Sequence, residues 1–515
     1  MTISLQPKTN VSLVGATQAV ENTTQRVLFV GQKVAAGTAS AGGLVENIST
    51  NDEDTLFGAN SMLAGMIRSA REQNPITRFD AIPLDDAGAG VAATGSVVFA
   101  GTATASGTIT ITIGSANDYA LSVGVTSGDT ATVVGDALVT AVTNNTNIPV
   151  SASNSTGTVT LTADNDGPLG NFIGISTNGS VAGVTVTLTA FSGGATNPTF
   201  TGVFDVVGDN RYQGIVWPYF SDTSEVRSFL EGRFNVDNKV LDGSAFTSSI
   251  DTFANHLVRL NALNSQALTD FVDEFINQSD YVAPSQFEMP QIKAAQFAAI
   301  RALRLTDGAN IGSFVLASNG PNDAFGGPAL ASKPYFNTPA PDLPLTGTGR
   351  GFTETEIEQL FTAGGSVIGN NVAGNGVIFG EVVTTYKTDS AGSPDLSFKF
   401  LNYVDTSSNV REYFYNNLRS RFAQSRLTEG DVIRGRDQAN ALTIRAFCER
   451  LYQDLSGPDF VLLEAGEDAL VFFKNNLNIT IDKANGRVTI TMIVPIVTQL
   501  REIQATIKIA FSTQS

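Results

Sequence analysis

Cysteine occurs once in the 515 residues, at Cys448, so no intrachain disulfide can form and the chain was not built around an oxidising compartment. Cys448 lies among Ala446, Phe447 and Leu451 in a helical pattern, where it reads as a small packed hydrophobe. Histidine also occurs once, at His256 beside Leu257 and Leu260, which excludes a set of His ligands and leaves one residue on which a triad could be built. No Gly-x-x-x-x-Gly-Lys-Ser/Thr phosphate loop and no Gly-x-Ser-x-Gly elbow is present. Gly347-Thr348-Gly349 and Gly374-Asn375-Gly376 lack the third glycine of a dinucleotide fingerprint and read as turns. Asp164-Asn165-Asp166-Gly167 lacks the spacing and distal Glu of a calcium loop and is also read as a turn. The acid pairs Asp85-Asp86 and Glu464 with Glu467-Asp468 have no basic or aromatic context and read as solvated faces. No catalytic residue, cofactor or metal ligand is therefore expected, and the chain is not expected to be an enzyme.

Cations are also scarce. Lys and Arg number 31 against 49 Asp and Glu, a formal net charge of -18, which argues against a broad phosphate-neutralising face and against direct nucleic-acid binding. No run approaches the ~18 apolar residues of a membrane helix. The opening Met1-Thr2-Ile3-Ser4-Leu5-Gln6-Pro7-Lys8 lacks the apolar core of a secretory signal. The expectation is a protein kept in a cytoplasm or assembled there into something larger, with no membrane insertion.

The sharpest feature that is present is a compositional break. Val91 to Phe200 holds no Lys, Arg, Glu or His, and its only acids are Asp118, Asp129, Asp136, Asp164 and Asp166. Thr108 to Ile113, Thr158 to Thr162 and Val184 to Leu188 alternate with period two, the pattern of short antiparallel strands with one wet face. Asp129 to Val142 reads as an amphipathic helix. The segment is therefore expected to be a separate, mainly-β domain. Its few aromatics, Phe99, Tyr119, Phe172, Phe191 and Phe200, count against a carbohydrate-binding role.

On either side, strands and helices alternate with ordinary charge, so the fold class is α+β or α/β with several domains and the β segment inserted. Arg26 to Gly31, Ile76 to Pro83, Gly214 to Pro218 and Ser313 to Leu316 read as strands. Helices are expected after Ser61 and over Thr223 to Leu230, Asp251 to Asn261 and Gln291 to Leu305. Ser318 to Phe352 reads as a long irregular connection. Helices over Val410 to Leu427 and Gln438 to Leu455 follow, then a hairpin turning at Asn485-Gly486. Arg411, Arg419, Arg421, Arg426, Arg434 and Arg436 cluster on and after the first of these helices. They either meet an acidic partner surface or pair with Glu412, Glu429, Asp431 and Asp437. Thr2 to Leu5 and Ile503 to Phe511 are strand patterns without evident hairpin partners, free to pair within the subunit or with neighbouring copies.

Taken in order, Phe57-Gly58 before the Ser61 helix, Thr104-Ala105-Ser106-Gly107-Thr108 in the β segment, Thr384-Thr385-Tyr386, Arg419 to Leu427, and Phe472-Phe473-Lys474-Asn475-Asn476 resemble the contractile tail sheath family of Mu-like bacteriophages. The resemblance implies a virion structural protein, assembled in the host bacterial cytoplasm into hexameric rings stacked helically around a tail tube. Contraction of such a sheath drives the tube through the host envelope for genome ejection, with no nucleotide consumed. It implies as partners neighbouring copies of the chain, the tail tube protein, and the baseplate and tail terminator. It also implies a division into an N-terminal linking arm (1–25), a sheath core (26–90 and 201–400), an inserted outer domain (91–200) and a C-terminal domain with a linking strand (401–515). Ile3 and Leu5 at one end, and Ile503, Ala505, Ile507, Ile509 and Phe511 at the other, become the inter-subunit linking residues. Arg411, Arg419, Arg421 and Arg426 become a tube-facing or subunit-facing basic patch. The remaining alternatives are another tail or baseplate structural protein, or an adhesin.

Overall fold

The computed structural model describes residues 25–498 apart from 115–118, 235, 237–238, 274–287, 306–334, 336–337, 341–342, 344–351, 372, 434–436 and 458–461. The architecture is mixed α/β with several sheets. No helix among the described residues is long and apolar enough to cross a membrane. Strand β1 (Arg26–Gln32) is followed by α1 (Asp52–Phe57), α2 (Met62–Gln73) and β2 (Arg78–Leu84). Val27, Leu28, Phe29 and Val30 are buried, as a parallel strand covered on both faces requires. The Ala64 backbone N–H donates to Ser61 Oγ at 3.1 Å, which caps α2 as the sequence predicts.

The chain next forms β3 (Ala92–Gly101), β4 (Gly107–Gly114), β5 (Ala120–Val125), α3 (Ala131–Asn144), β6 (Val150–Ser155), β7 (Thr158–Asp166), β8 (Gly174–Asn178) and β9 (Val184–Ser192). These strands pair antiparallel in two sheets, β6-β7-β3-β9 and β5-β4-β8. Alternation decides the faces. Val97, Phe99, Ile109, Ile111, Val159 and Leu161 are buried, while Ser96 stands opposite Thr160 and Thr189 on the other face. Where β7 ends, Asn165 Nδ2 donates to the Lys33 carbonyl at 3.0 Å, and its Oδ1 accepts from the Met62 backbone N–H at 2.9 Å. One amide thus joins this segment to β1 and to the start of α2.

Beyond it lie β10 (Gly214–Val216), α4 (Ser224–Glu231), β11 (Ser244–Ser249), α5 (Phe253–Asn261), β12 (Leu268–Asp273), α6 (Pro290–Leu305), β13 (Thr338–Pro339), α7 (Glu354–Thr362), β14 (Gly365–Asn370) and β15 (Val377–Phe379). They complete an eight-stranded sheet of order β13-β15-β14-β12-β11-β10-β1-β2. The pairs from β14 through to β2 are parallel, and β13 and β15 join antiparallel. The strand expected at Ser313 to Leu316, and most of the connection after it, lies outside the described residues.

Neither β11 (Ser-Ala-Phe-Thr-Ser-Ser) nor β12 (Leu-Thr-Asp-Phe-Val-Asp) carries a long apolar run, yet every residue of both is buried. Part of their polar content is held by partners. Ser249 donates to Asp270 at 3.1 Å, and Arg259 reaches the same carboxylate at 2.8 Å. Lys293 pairs with Asp273 at 2.6 Å with both side chains almost fully buried. His256 is enclosed beside them, its pKa lowered from 6.5 to about 3, first by burial and then by the Arg259 charge.

The last elements are α8 (Leu401–Phe422), β16 (Arg426–Leu427), β17 (Gln438–Ala439), α9 (Ala441–Ser456), α10 (Glu467–Asn475), β18 (Asn478–Asp482) and β19 (Arg487–Thr491). Helix α8 begins well before the predicted Val410 and stops short of Leu427. Its first turns carry Asn402, Asp405, Thr406 and Ser408, which disfavour helix locally but are held by tertiary partners. Asp405 accepts from Tyr335 at 2.6 Å and from Arg301 Nε at 3.2 Å, and Ser408 accepts from Arg211 at 2.9 Å. The second half of α8 buries Val410 and Phe414 in a separate apolar cluster with Ile444, Cys448, Leu451, Leu455 and Phe473. Burial pushes the Cys448 thiol up to about 11, in keeping with a packed residue.

Replacing Asp405 by Ala leaves the buried Arg301 guanidinium uncompensated and is expected to cost about 3–5 kcal/mol in urea unfolding. A loss below about 1 kcal/mol contradicts the pairing. For His256, the unfolded chain takes up a proton near pH 6.5 that the folded chain refuses until about pH 3. Its contribution is therefore complete above pH 6.5 and lost as pH falls toward 3, with a slope of up to ~1.4 kcal/mol per pH unit. His256→Gln is expected to flatten the acid limb of the stability curve, and an unaltered limb contradicts the assignment.

Candidate functional site

An open α/β sheet offers a ligand crevice where strand order reverses, outside the carboxyl ends of the strands. Here that point lies between β1 and β10, because the chain passes from β2 on one side of β1 to β10 on the other. The position is filled by the protein itself. Gln32, at the end of β1, donates to Asp86 and to the Asp166 carbonyl, and its Oε1 accepts from Tyr219. Trp217, just past β10, donates to the Asp222 carbonyl at 2.8 Å and packs against Phe200 and Phe204. A cavity of about 40 Å³ remains beside Gln32, Asn165 and Gln291, room for a few waters and far too small for a nucleotide.

Ser249, His256 and Asp270 are the residue types of a hydrolytic triad, but their connectivity is wrong for one. The Asp251 backbone N–H donates to His256 Nε2 at 3.0 Å, and Nδ1 faces the Arg259 guanidinium at 3.2 Å. Ser249 Oγ stands 3.4 Å from Nδ1 but donates to Asp270 at 3.1 Å and accepts from Arg259. Asp270 receives Ser249 and Arg259 instead of the ring, and Ser249, His256 and Asp270 are all buried. The group is a structural cluster. Among the described residues, no set of three or more His, Cys, Asp or Glu side chains is placed to hold a metal ion, Asp164 and Asp166 included.

The four arginines assigned to one basic patch divide into two environments. Arg411 is committed inside the chain: it binds Asp242 and donates to the carbonyls of Val236 and Lys239 at 2.9 and 3.0 Å. Glu412, expected to pair within the cluster, pairs with Arg211 at 2.6 Å. These partners are far away in sequence, and no local signal identifies them. Arg419, Arg421 and Arg426 are exposed at the end of α8 and just beyond it. Arg419 donates to the Tyr415 hydroxyl at 2.9 Å, Arg421 lies against the Phe422 ring, and Arg426 makes a backbone bond to the Asp437 carbonyl. None of the three forms an ion pair among the described residues. Arg419 and Arg421 line an open groove with Tyr415, Asn416, Gln424 and one acid, Asp437. Arg434 and Arg436 lie outside the described residues.

The remaining feature is the hairpin. β18 and β19 pair from Asn478↔Thr491 to Asp482↔Arg487, turning through Gly486 at φ 62°, as Asn485-Gly486 predicts. Among the described residues they pair only with each other, and an isolated two-stranded sheet is marginal in water. Ile479, Val488 and Ile490 pack against the cluster around α9, and neither outer edge of the hairpin is paired among the described residues. Ile3, Leu5, Ile503, Ala505, Ile507, Ile509 and Phe511 lie outside the described residues.

The chain is 35% identical over 237 residues to the Mu-like prophage FluMu tail sheath protein of Haemophilus influenzae, a match covering 44% of this chain and 48% of that protein. The chain thus spans about half the length of this curated relative in the match. Among solved structures, a sheath tail protein from Desulfitobacterium hafniense superposes with a TM-score of 0.45 at 9% identity, covering 92% of this chain and 97% of that one. A sheath tail protein from Listeria innocua gives 0.45 at 12% identity, covering 92% of each chain. A chain of the anti-feeding prophage baseplate gives 0.48 at 11%, covering 95% of this chain and 94% of that one. No family model matches the chain. Over a stretch of 237 residues, this chain is similar in sequence to a tail sheath protein of a Mu-like prophage.

Proposed function

We propose that this protein is the structural subunit of a contractile phage tail sheath, polymerising around a tail tube and contracting to drive the tube through a host envelope. The observation that carries the reading is the 35% identity to the FluMu tail sheath protein over 237 residues. The filled crevice at the β1/β10 switch point and the inert wiring of Ser249 and His256 agree with a structural role. In this reading the chain works in the virion tail, after assembly in the bacterial cytoplasm as hexameric rings stacked helically. Its partners are further copies of itself, the tube protein, and the baseplate and terminator at the two ends.

Residues 26–90 and 201–400 form the sheath core, 91–200 an inserted outer domain, and 401–515 the domain that carries the hairpin. The arm at 1–25 and the strand at 503–511 link subunits, because their alternating patterns match the open edges of β18 and β19. Ile3 and Leu5 from one neighbour, and Ile503, Ala505, Ile507, Ile509 and Phe511 from another, supply the apolar side chains of the shared sheet. Rigid bodies joined by such strands can repack between two lattices, the physical basis for contraction without a nucleotide. Arg419, Arg421 and Arg426 face a partner, whereas Arg411 holds α8 to the core through Asp242.

Negative-stain electron microscopy of the full chain and of a chain lacking 503–515 tests the reading. Tubes or stacked rings are expected from the full chain and none from the truncated one. Monodisperse particles in both samples overturn it.

A further inference from the structure

In a chain of net charge -18, several arginines are already committed to acids. Arg26, Arg68, Arg78, Arg211, Arg259, Arg301 and Arg411 each pair with an acid. Arg419, Arg421 and Arg426 are exposed and form no ion pair among the described residues, and the first two line the groove at the end of α8. The position of these two in the last turn of α8 suits its negative end, which accounts for their presence but leaves their outward charge unmatched.

The chain's own termini cannot match it. Residues 1–24 hold one acid, Glu21, beside Lys8, and residues 499–515 hold one, Glu502, beside Arg501 and Lys508. Several exposed acids are already occupied as well: Asp54 by Arg68, Asp209 by Lys239, Asp389 by the backbone of its own turn and Asp395 by Tyr386. Others, among them Glu429, Asp431 and the groove's own Asp437, form no ion pair among the described residues, and what sets the start of α10 apart is that its acids stand beside exposed apolar side chains. Glu464, Glu467 and Asp468 are exposed and form no ion pair among the described residues, and Val471 and Phe472 beside them are 47% and 46% exposed.

These two patches cannot meet within one subunit. The groove lies at the first end of α9, where β16 pairs with β17 and Asn440 caps the helix. The acids lie at its other end, where the Leu462 backbone N–H donates to the Leu455 carbonyl. Helix α10 then runs back along α9, its last turn reached by Arg445, which donates to the Lys474 carbonyl at 3.0 Å. With 16 residues, α9 holds the patches apart, and at 1.5 Å per residue that is about 24 Å.

We propose that the groove of Arg419 and Arg421 is a docking site for the start of α10 in a second copy of this chain, with Glu467 and Asp468 on the guanidinium groups and Phe472 against Tyr415. Opposite patches at opposite ends of one helix make a head-to-tail contact. Such a contact closes into a ring or continues into a helical filament, in contrast to a two-fold dimer. The inference rests on the assembly reading above and names one contact within it, separate from the strand exchange of the termini.

A charge-swap experiment on the full-length chain tests it, with sedimentation velocity as the readout and far-UV circular dichroism to confirm folding. Arg419→Glu with Arg421→Glu in one chain, and Glu467→Lys with Asp468→Lys in another, are each expected to shift the population at least tenfold towards small species. Mixing the two chains restores opposite charges at every contact and is expected to recover large assemblies. One chain carrying all four reversals is expected to recover them alone. Wild-type assembly by both charge-reversed chains, or failure of both the mixture and the four-fold variant to recover, overturns the contact while leaving the assembly reading standing. A wild-type chain that never assembles overturns both.

Discussion

Helix α6 is buried along almost its whole length, so its polar groups depend on partners inside the protein, although Gln291 Oε1 and Gln296 Oε1 accept no hydrogen bond among the described residues. Those partners come from every part of the core. Lys293 pairs with Asp273 at the end of β12, Gln296 donates to Ser69 of α2, and Asn74 donates to the Ala299 carbonyl. Arg301 binds Asp405 of α8 and the Gln213 carbonyl before β10. The helix therefore fixes the sheet, the α2 layer and the beginning of α8 with respect to one another, and places the C-terminal cluster on a rigid base.

That rigidity separates two uses of charge. Inside, cations are matched across long sequence distances, as with Arg411 and Asp242 or Arg211 and Glu412, and they contribute to position. Outside, at the two ends of α9, Arg419 and Arg421 and the acids Glu467 and Asp468 form no ion pair among the described residues. The ordinary ligand crevice of an α/β sheet is closed by Gln32, Trp217 and Tyr219. Among the described residues the surface carries a hairpin paired only with itself, a groove lined by Arg419 and Arg421, and exposed acids at the start of α10.

Elements whose burial shows as an apolar pattern were legible in the sequence. β1, α2 with its Ser61 cap, the alternating strands β4, β7 and β9, and the Asn485-Gly486 hairpin all follow from local chemistry. β11 and β12 were not legible, because Ser and Asp side chains stand where a central parallel strand ordinarily carries Val or Ile, and partners such as Arg259 and Lys293 become visible only in three dimensions. The early start of α8 was hidden for the same reason, since Asp405 and Ser408 read as breakers until Arg301 and Arg211 are brought to them. At the candidate site, the cluster of arginines was legible as a cluster, but its division was not: Arg411 is internal and Arg419 and Arg421 face outward.

The central claim is that this chain is built to associate with copies of itself. Sedimentation velocity of the full-length chain across a hundredfold range of concentration tests it most directly. The account predicts a concentration-dependent shift from small species to large, polydisperse assemblies, weakened by added salt because part of the contact is between exposed charges. A single monomeric boundary at every concentration would contradict it.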